Sequence, residues 1–280
     1  MKNIINNSIR YSILGICLVF GFLFISCSDS ENERAIRWKF QNFDKLTYNF
    51  TQKTEVSPLG GIFSAFGITN TAKGKLTIVP TQDGKANLAL EDMYMGEMGN
   101  MILQNMKIEN EELNNLSIKG LKSDGTIEGE ISEAMKLFST GILPIPTKDL
   151  KVGESVKIET NMSIPLADEK ITMTGFQTLT LKSIKGNLYT LKNDILIDKY
   201  QNPKLESKIK EEDKPEIKGE GEYIFDIEKG YFTEGEVVLK IQMKLDKLQN
   251  QENSGMQFNL GNMKINFIST INLDLMKENK

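Results

Sequence analysis

Met263-Lys264-Ile265-Asn266-Phe267-Ile268-Ser269-Thr270-Ile271-Asn272-Leu273-Asp274-Leu275 decides the fold. Met263, Ile265, Phe267, Ile271, Leu273 and Leu275 share one parity with Ser269, while Lys264, Asn266, Ile268, Thr270, Asn272 and Asp274 fill the other. Successive strand side chains point to opposite faces, so a period of two predicts a strand with one apolar and one mainly polar face. Its 13 residues would extend over about 43 Å, against a usual strand of roughly 5–6 residues. So long a sheet must cover a long apolar face, either by curling on itself or by leaving a groove for a guest.

The same pattern recurs upstream. Val237, Leu239, Ile241, Met243 and Leu245 alternate with Val238, Lys240, Gln242, Lys244 and Asp246. Leu46, Tyr48 and Phe50 alternate with Thr47, Asn49 and Thr51, and Val156, Ile158, Met162 and Ile164 share a face. Three hairpins are predicted from an apolar–polar strand, a charged residue plus Gly, and a return strand. They turn at Asp83-Gly84, Lys185-Gly186 and Lys229-Gly230. The expected fold is all-β and mainly antiparallel. It is a long-stranded curved sheet, as a half-barrel or a barrel or sandwich, with one or two short helices.

Two helices are expected. Ile36, Phe40 and Phe43 fall at i, i+4 and i+7 within Arg34–Phe43, and Ser132 is placed to cap a helix through Phe138. Residues 57–70, rich in Gly and apolar side chains, read as a connection that either folds under the sheet or forms an apolar lip around Phe63 and Phe66. The charged stretch Asp198–Lys218, with Pro203 and Pro215, reads as a solvated loop or hairpin tip. Met93, Met95, Met98, Met101 and Met106 fall within 14 residues. Thioethers pack irregular cores, line adaptable binding surfaces and bind Cu(I). Core packing comes first among these, a ligand-facing surface second and copper last. Phe63, Phe66, Met93, Met95, Met98 and Met101 are therefore the candidate ligand-binding residues.

Composition narrows the chemistry. The chain has no His among its 280 residues and only two Cys. Nucleophile systems that need His, and His-ligated metals, are excluded. Acid–base work would fall to Asp, Glu, Lys or Tyr, and no carboxylate pair stands out by spacing. The reading is a non-enzyme without metal or cofactor.

The first residues form a leader. Lys2 and Arg10 precede an apolar run from Tyr11 to Ile25, the arrangement of a secretory signal peptide and short for a membrane span. Leu23-Phe24-Ile25-Ser26-Cys27 resembles the lipobox of bacterial lipoproteins, with Phe24 where Leu is usual. That resemblance implies cleavage after Ser26, lipidation of Cys27 and, with Ser28 next in the chain, an outer-membrane address in the cell envelope. It also implies a multiply acylated Cys, since stable anchoring takes more than one chain. Ser28-Asp29-Ser30-Glu31-Asn32-Glu33 then reads as an acidic tether. Without Lys2 and Arg10, 32 of the 34 basic residues remain against 38 acidic ones, a net charge of −6. An acidic balance argues against a nucleic-acid partner. The domains expected are 1–26 signal peptide, 27–40 lipidated Cys and tether, and 41–280 antiparallel β domain, with a division into halves 41–150 and 151–280 left open.

Leu143-Pro144-Ile145-Pro146-Thr147-Lys148-Asp149-Leu150-Lys151-Val152-Gly153-Glu154-Ser155 resembles a segment of bacterial lipoproteins of unknown function that precedes a long hairpin. The likeness spans about residues 140–240 and carries no site. A lipid-anchored, curved antiparallel sheet is similar in architecture and address, though not in motif, to the LolA and LolB half-barrel carriers. The expected function is a lipid-anchored structural or interaction module. The alternative is a carrier of lipid or another hydrophobic ligand in an apolar groove, gated by residues 59–68 and 93–106. Partners would be the membrane, through the lipid on Cys27, and a hydrophobic ligand or an envelope protein.

Overall fold

Period-two alternation carries through most of the described chain. The structure, a computed structural model, describes residues 35–59, 68–96, 117–128, 143–166, 169–200, 216–244 and 264–279. Ten strands form one sheet: β1 (Lys45–Leu59), β2 (Ile68–Pro80), β3 (Ala86–Tyr94), β4 (Ser117–Leu121), β5 (Ser155–Leu166), β6 (Glu169–Lys185), β7 (Leu188–Tyr200), β8 (Glu216–Asp226), β9 (Tyr231–Lys244) and β10 (Lys264–Asn279). Their order is β4-β3-β2-β1-β10-β9-β8-β7-β6-β5, and all neighbours are antiparallel.

Sequence neighbours are spatial neighbours except at one place. The first strand pairs with the last, from Lys45 opposite Asn279 to Leu59 opposite Lys264. This is the order of a ring of strands opened between β4 and β5. The sheet is curved and, among the described residues, unclosed, so the barrel or sandwich alternative gives way to one open sheet. The segments before and after residue 150 meet in it at the β1–β10 pair.

One face is buried. Leu46, Tyr48, Phe50, Leu76, Ile78, Leu88 and Leu90 belong to the same core as Leu181, Leu191, Ile217, Tyr223, Leu239 and Ile271. Burying one apolar side chain contributes about 1.5–3 kcal/mol, so strands with this many inward residues hold the sheet without any disulfide.

The three tight turns lie at one end. Gly84, Gly186 and Gly230 have φ of +76°, +60° and +78°, a backbone region that glycine enters without steric cost. The lead-in segment packs against this end. Trp38 N–H donates to Ser123 O at 2.8 Å and Lys39 N–H to Gly230 O at 3.0 Å, while Arg37 Nη1 donates to Pro146 O at 2.7 Å. These cross-chain bonds draw residues 35–39 out straight. The helix expected over Arg34–Phe43 is therefore reduced, among the described residues, to a 3-10 turn at Phe40–Asn42. A side chain at Gly230 would collide with Lys39, so this docking requires glycine.

Two other expectations are adjusted. Strand pairing runs into the 57–70 connection, through Leu59 and again from Ile68, leaving 60–67 outside the described residues. The charged 198–218 stretch contributes strand at both ends, with Tyr200 and Ile217 buried. The Leu143–Pro146 segment is not strand, as its prolines require, and Leu143 and Ile145 are buried against the core. The helix expected at Ser132–Phe138 lies outside the described residues.

Candidate functional site: the inner face of the sheet

Only two of the candidate ligand-binding residues lie in described structure. Met93 and Met95 are 9% and 2% exposed. Strict alternation from Leu88 and Leu90 would turn Asp92 and Tyr94 inward instead. A bulge in β3, opposite Lys73–Lys75, shifts the register, and Asp92 there takes φ +53°. An extra residue in one strand inverts the parity of the residues beyond it. Met93 and Met95 thus turn in, while Asp92 turns out to an ion pair with Lys75. Asn70 Nδ2 fixes the strand end by donating to Met95 O at 2.8 Å. Both methionines belong to the core cluster. Phe63, Phe66, Met98, Met101 and the lipidation candidate Cys27 lie outside the described residues.

The inner face has two chemically distinct parts. At the turn end, Trp38 meets Phe232 with centroids 5.5 Å apart, Phe232 meets Phe225 at 4.9 Å, and Phe43 meets Tyr231 at 5.7 Å, all edge to face. Such pairs contribute about 0.5–1.5 kcal/mol beyond burial. Tyr48 Oη donates to Phe232 O at 2.7 Å. Burial pushes the Tyr48 phenol well above its ordinary range, reinforced by nearby Tyr231. Trp38 Nε1 finds no hydrogen-bond partner among the described residues.

Farther along the strands the face turns polar. Thr160, Gln177 and Asn193 are 1%, 2% and 0% exposed. Asn193 Nδ2 donates to Gln177 Oε1 at 3.2 Å, and Gln177 Nε2 reaches Thr160 Oγ1 at 3.4 Å. The row crosses β5, β6 and β7 and ends at Tyr223 on β8. There burial raises the phenol pKa, and a hydrogen bond with the Asn193 side chain opposes the rise. Asn193 Oδ1 finds no partner among the described residues. Gly221 makes room for the row, since a Cβ there would lie 3.0 Å from Tyr223 Oη and 2.9 Å from Glu236 O. On the same inner face, at the β1–β10 pair, Gln52 Nε2 donates to Ser269 Oγ at 2.9 Å. The alternation of Met173, Gly175, Gln177, Leu179 and Leu181 already places Gln177 on the apolar parity. That is the signal by which the row could have been found.

The outer face is charged. A depression of about 650 Å³ over β6–β9 is lined by four lysines (Lys182, Lys192, Lys218, Lys240) and four acids (Asp194, Glu220, Glu222, Glu236). Its ion pairs include Lys182–Glu222 at 2.5 Å and Lys192–Asp194 at 2.7 Å. Elsewhere, hydrogen bonds from Thr81 and Lys85 hold the Asp83 carboxyl down to about 2. Lys85 also bonds Glu128, which lowers that carboxyl in turn. These exposed pairs tie the β2–β3 turn to residue 128. Among the described residues, no three His, Cys, Asp or Glu side chains gather as metal ligands, and no helix is long and apolar enough to cross a membrane.

The chain matches no known family of proteins, and no curated protein is similar to it in sequence.

Proposed function

We propose that this chain is a lipid-anchored protein of the bacterial cell envelope whose open sheet works as a non-catalytic structural or interaction module. The anchor reading rests on the leader and on Ser26-Cys27. The module reading rests on one observation: the buried inner face is a single continuous cluster, from Ile118 on β4 to Met173 on β6. A face filled by its own side chains leaves surfaces and edges for contact with partners. The strongly shifted carboxyl of Asp83 and ammonium of Lys85 are exposed ion-pair members, which suits a solvated surface.

Transport of a hydrophobic ligand is the second reading. It is favoured by the strand order, in which β4 and β5 are the two ends of the sheet and do not pair among the described residues.

The anchor is tested by feeding cells an alkyne fatty acid and fractionating them. The expected result is label on the chain and recovery with membranes, both lost in Cys27→Ala. Label retained by Cys27→Ala, or an unlabelled wild type in the soluble fraction, would remove the anchor from the account.

A further inference from the structure

The two edges of the sheet are treated differently. The β4 edge is taken up at Gly120 and Leu121 by the next stretch of chain. Lys122 N–H donates to Thr126 O at 2.7 Å, Glu128 N–H to Gly120 O at 2.9 Å, and Leu121 bridges Ile127. β5 is a 12-residue strand that pairs, among the described residues, with β6 alone. An uncovered edge is a template for another strand.

We propose that β5 is the interface between two copies of this chain, paired antiparallel about a two-fold axis at Ile158. The side chains select both the partner and the register. Ser155, Lys157 and Glu159 are exposed on the outer face. A two-fold axis at Ile158 sets Lys157 opposite Glu159 of the second copy, twice over, and Val156 opposite Thr160. Moving the axis one residue toward the N-terminus sets Lys157 opposite Lys157. Moving it one residue toward the C-terminus sets Glu159 opposite Glu159. Like charges directly opposite destabilise a strand pair, and opposite charges stabilise it. Pro165, which lacks a donor for a ladder, falls outside the 155–161 overlap. A closed two-fold contact satisfies both edges at once and ends the assembly at two copies. This pairing needs neither the lipid nor a guest ligand.

Opposed residues in an antiparallel pair have Cα atoms about 4.5–5.5 Å apart, within the roughly 4.4–6.8 Å that a disulfide spans. The test places Ile158→Cys in the full-length chain and applies a mild oxidant, with the unsubstituted chain as background. A disulfide-linked dimer is expected at Ile158→Cys and not at Asn161→Cys, which lies off the axis. Adding Lys157→Glu, or separately Glu159→Lys, should cut the dimer about tenfold. Co-expressing those two charge variants should restore it, because the opposite pairs re-form only between copies. Background-level linkage at Ile158→Cys, equal linkage at Asn161→Cys, or linkage indifferent to charge would each overturn the proposal. Should Ile158→Cys fail to fold, light scattering of the purified unsubstituted chain decides: a dimer mass supports the pairing and a monomer mass overturns it.

Discussion

At the turn end of the inner face, Trp38, Phe43, Phe225, Tyr231 and Phe232 interlock edge to face. On the same face, running across β5 to β8, Thr160, Gln177, Asn193 and Tyr223 form a buried polar row. Both regions are buried, yet they contribute differently. The aromatic end gains from burial and ring contacts. The polar row must satisfy every group it withdraws from water to break even. Stability should therefore concentrate where the lead-in segment docks. The polar row should instead fix which residues meet, at little net gain.

The largest effect that would break this contrast is at Phe232. Phe232→Ala should cost about 3–5 kcal/mol, because truncating a buried ring loses its transfer energy and leaves a cavity. Urea unfolding measures it, and a cost below about 1 kcal/mol would contradict an aromatic end that carries the stability. Tyr48→Phe leaves the ring in place and deprives the buried Phe232 carbonyl of its donor. About 1–3 kcal/mol should be lost.

The polar row is probed by a cycle. Asn193→Leu alone leaves Gln177 Oε1 without its donor and should cost about 1–3 kcal/mol. Adding Gln177→Leu removes the amide left without that donor, though it also takes away the partner of Thr160, so the double change should cost clearly less than the sum of the two single ones. The two changes thus couple strongly, as neighbours in one network do. Strict additivity would show that the row is not a connected network.

Much of the sheet was legible from local pattern. The alternation in Val237–Leu245 and Met263–Leu275 matches β9 and β10, and the turns at Gly84, Gly186 and Gly230 are signalled by a charged residue plus Gly. What escaped is non-local. Nothing near Lys45 announces that β1 pairs with β10, more than 200 positions away. Ile36, Phe40 and Phe43 have helical spacing, yet Ser123, Gly230 and Pro146 take up the backbone and Arg37 side chain and straighten the segment. The bulge at Asp92, which turns Met93 and Met95 inward against the alternation of Leu88 and Leu90, could not be read from spacing alone. Gln177 was visible on the apolar parity, but its partners on β5, β7 and β8 depend on register.

The smallest effects concern pH. With no His in the chain, no side chain of ordinary pKa titrates between about pH 5.5 and 8. The melting temperature should stay nearly level over that range. Asp83 is held at about 2 in the fold against an ordinary 3.8. A lowered carboxyl favours the folded state fully above about pH 4 and loses that contribution as pH falls through its folded value. The group is exposed and screened by solvent, so Asp83→Asn should flatten the acid limb only slightly. A transition near neutral pH would point to a titrating group that the account lacks.

The central claim is that the inner face is filled by the protein's own side chains. It is tested most directly by native mass spectrometry of residues 28–280 purified without detergent, with lipids extracted in parallel. The expected result is the bare polypeptide mass, or twice that mass for the paired form, and no stoichiometric lipid. A lipid or acyl ligand bound one to one would contradict the filled face and make the carrier reading the leading one.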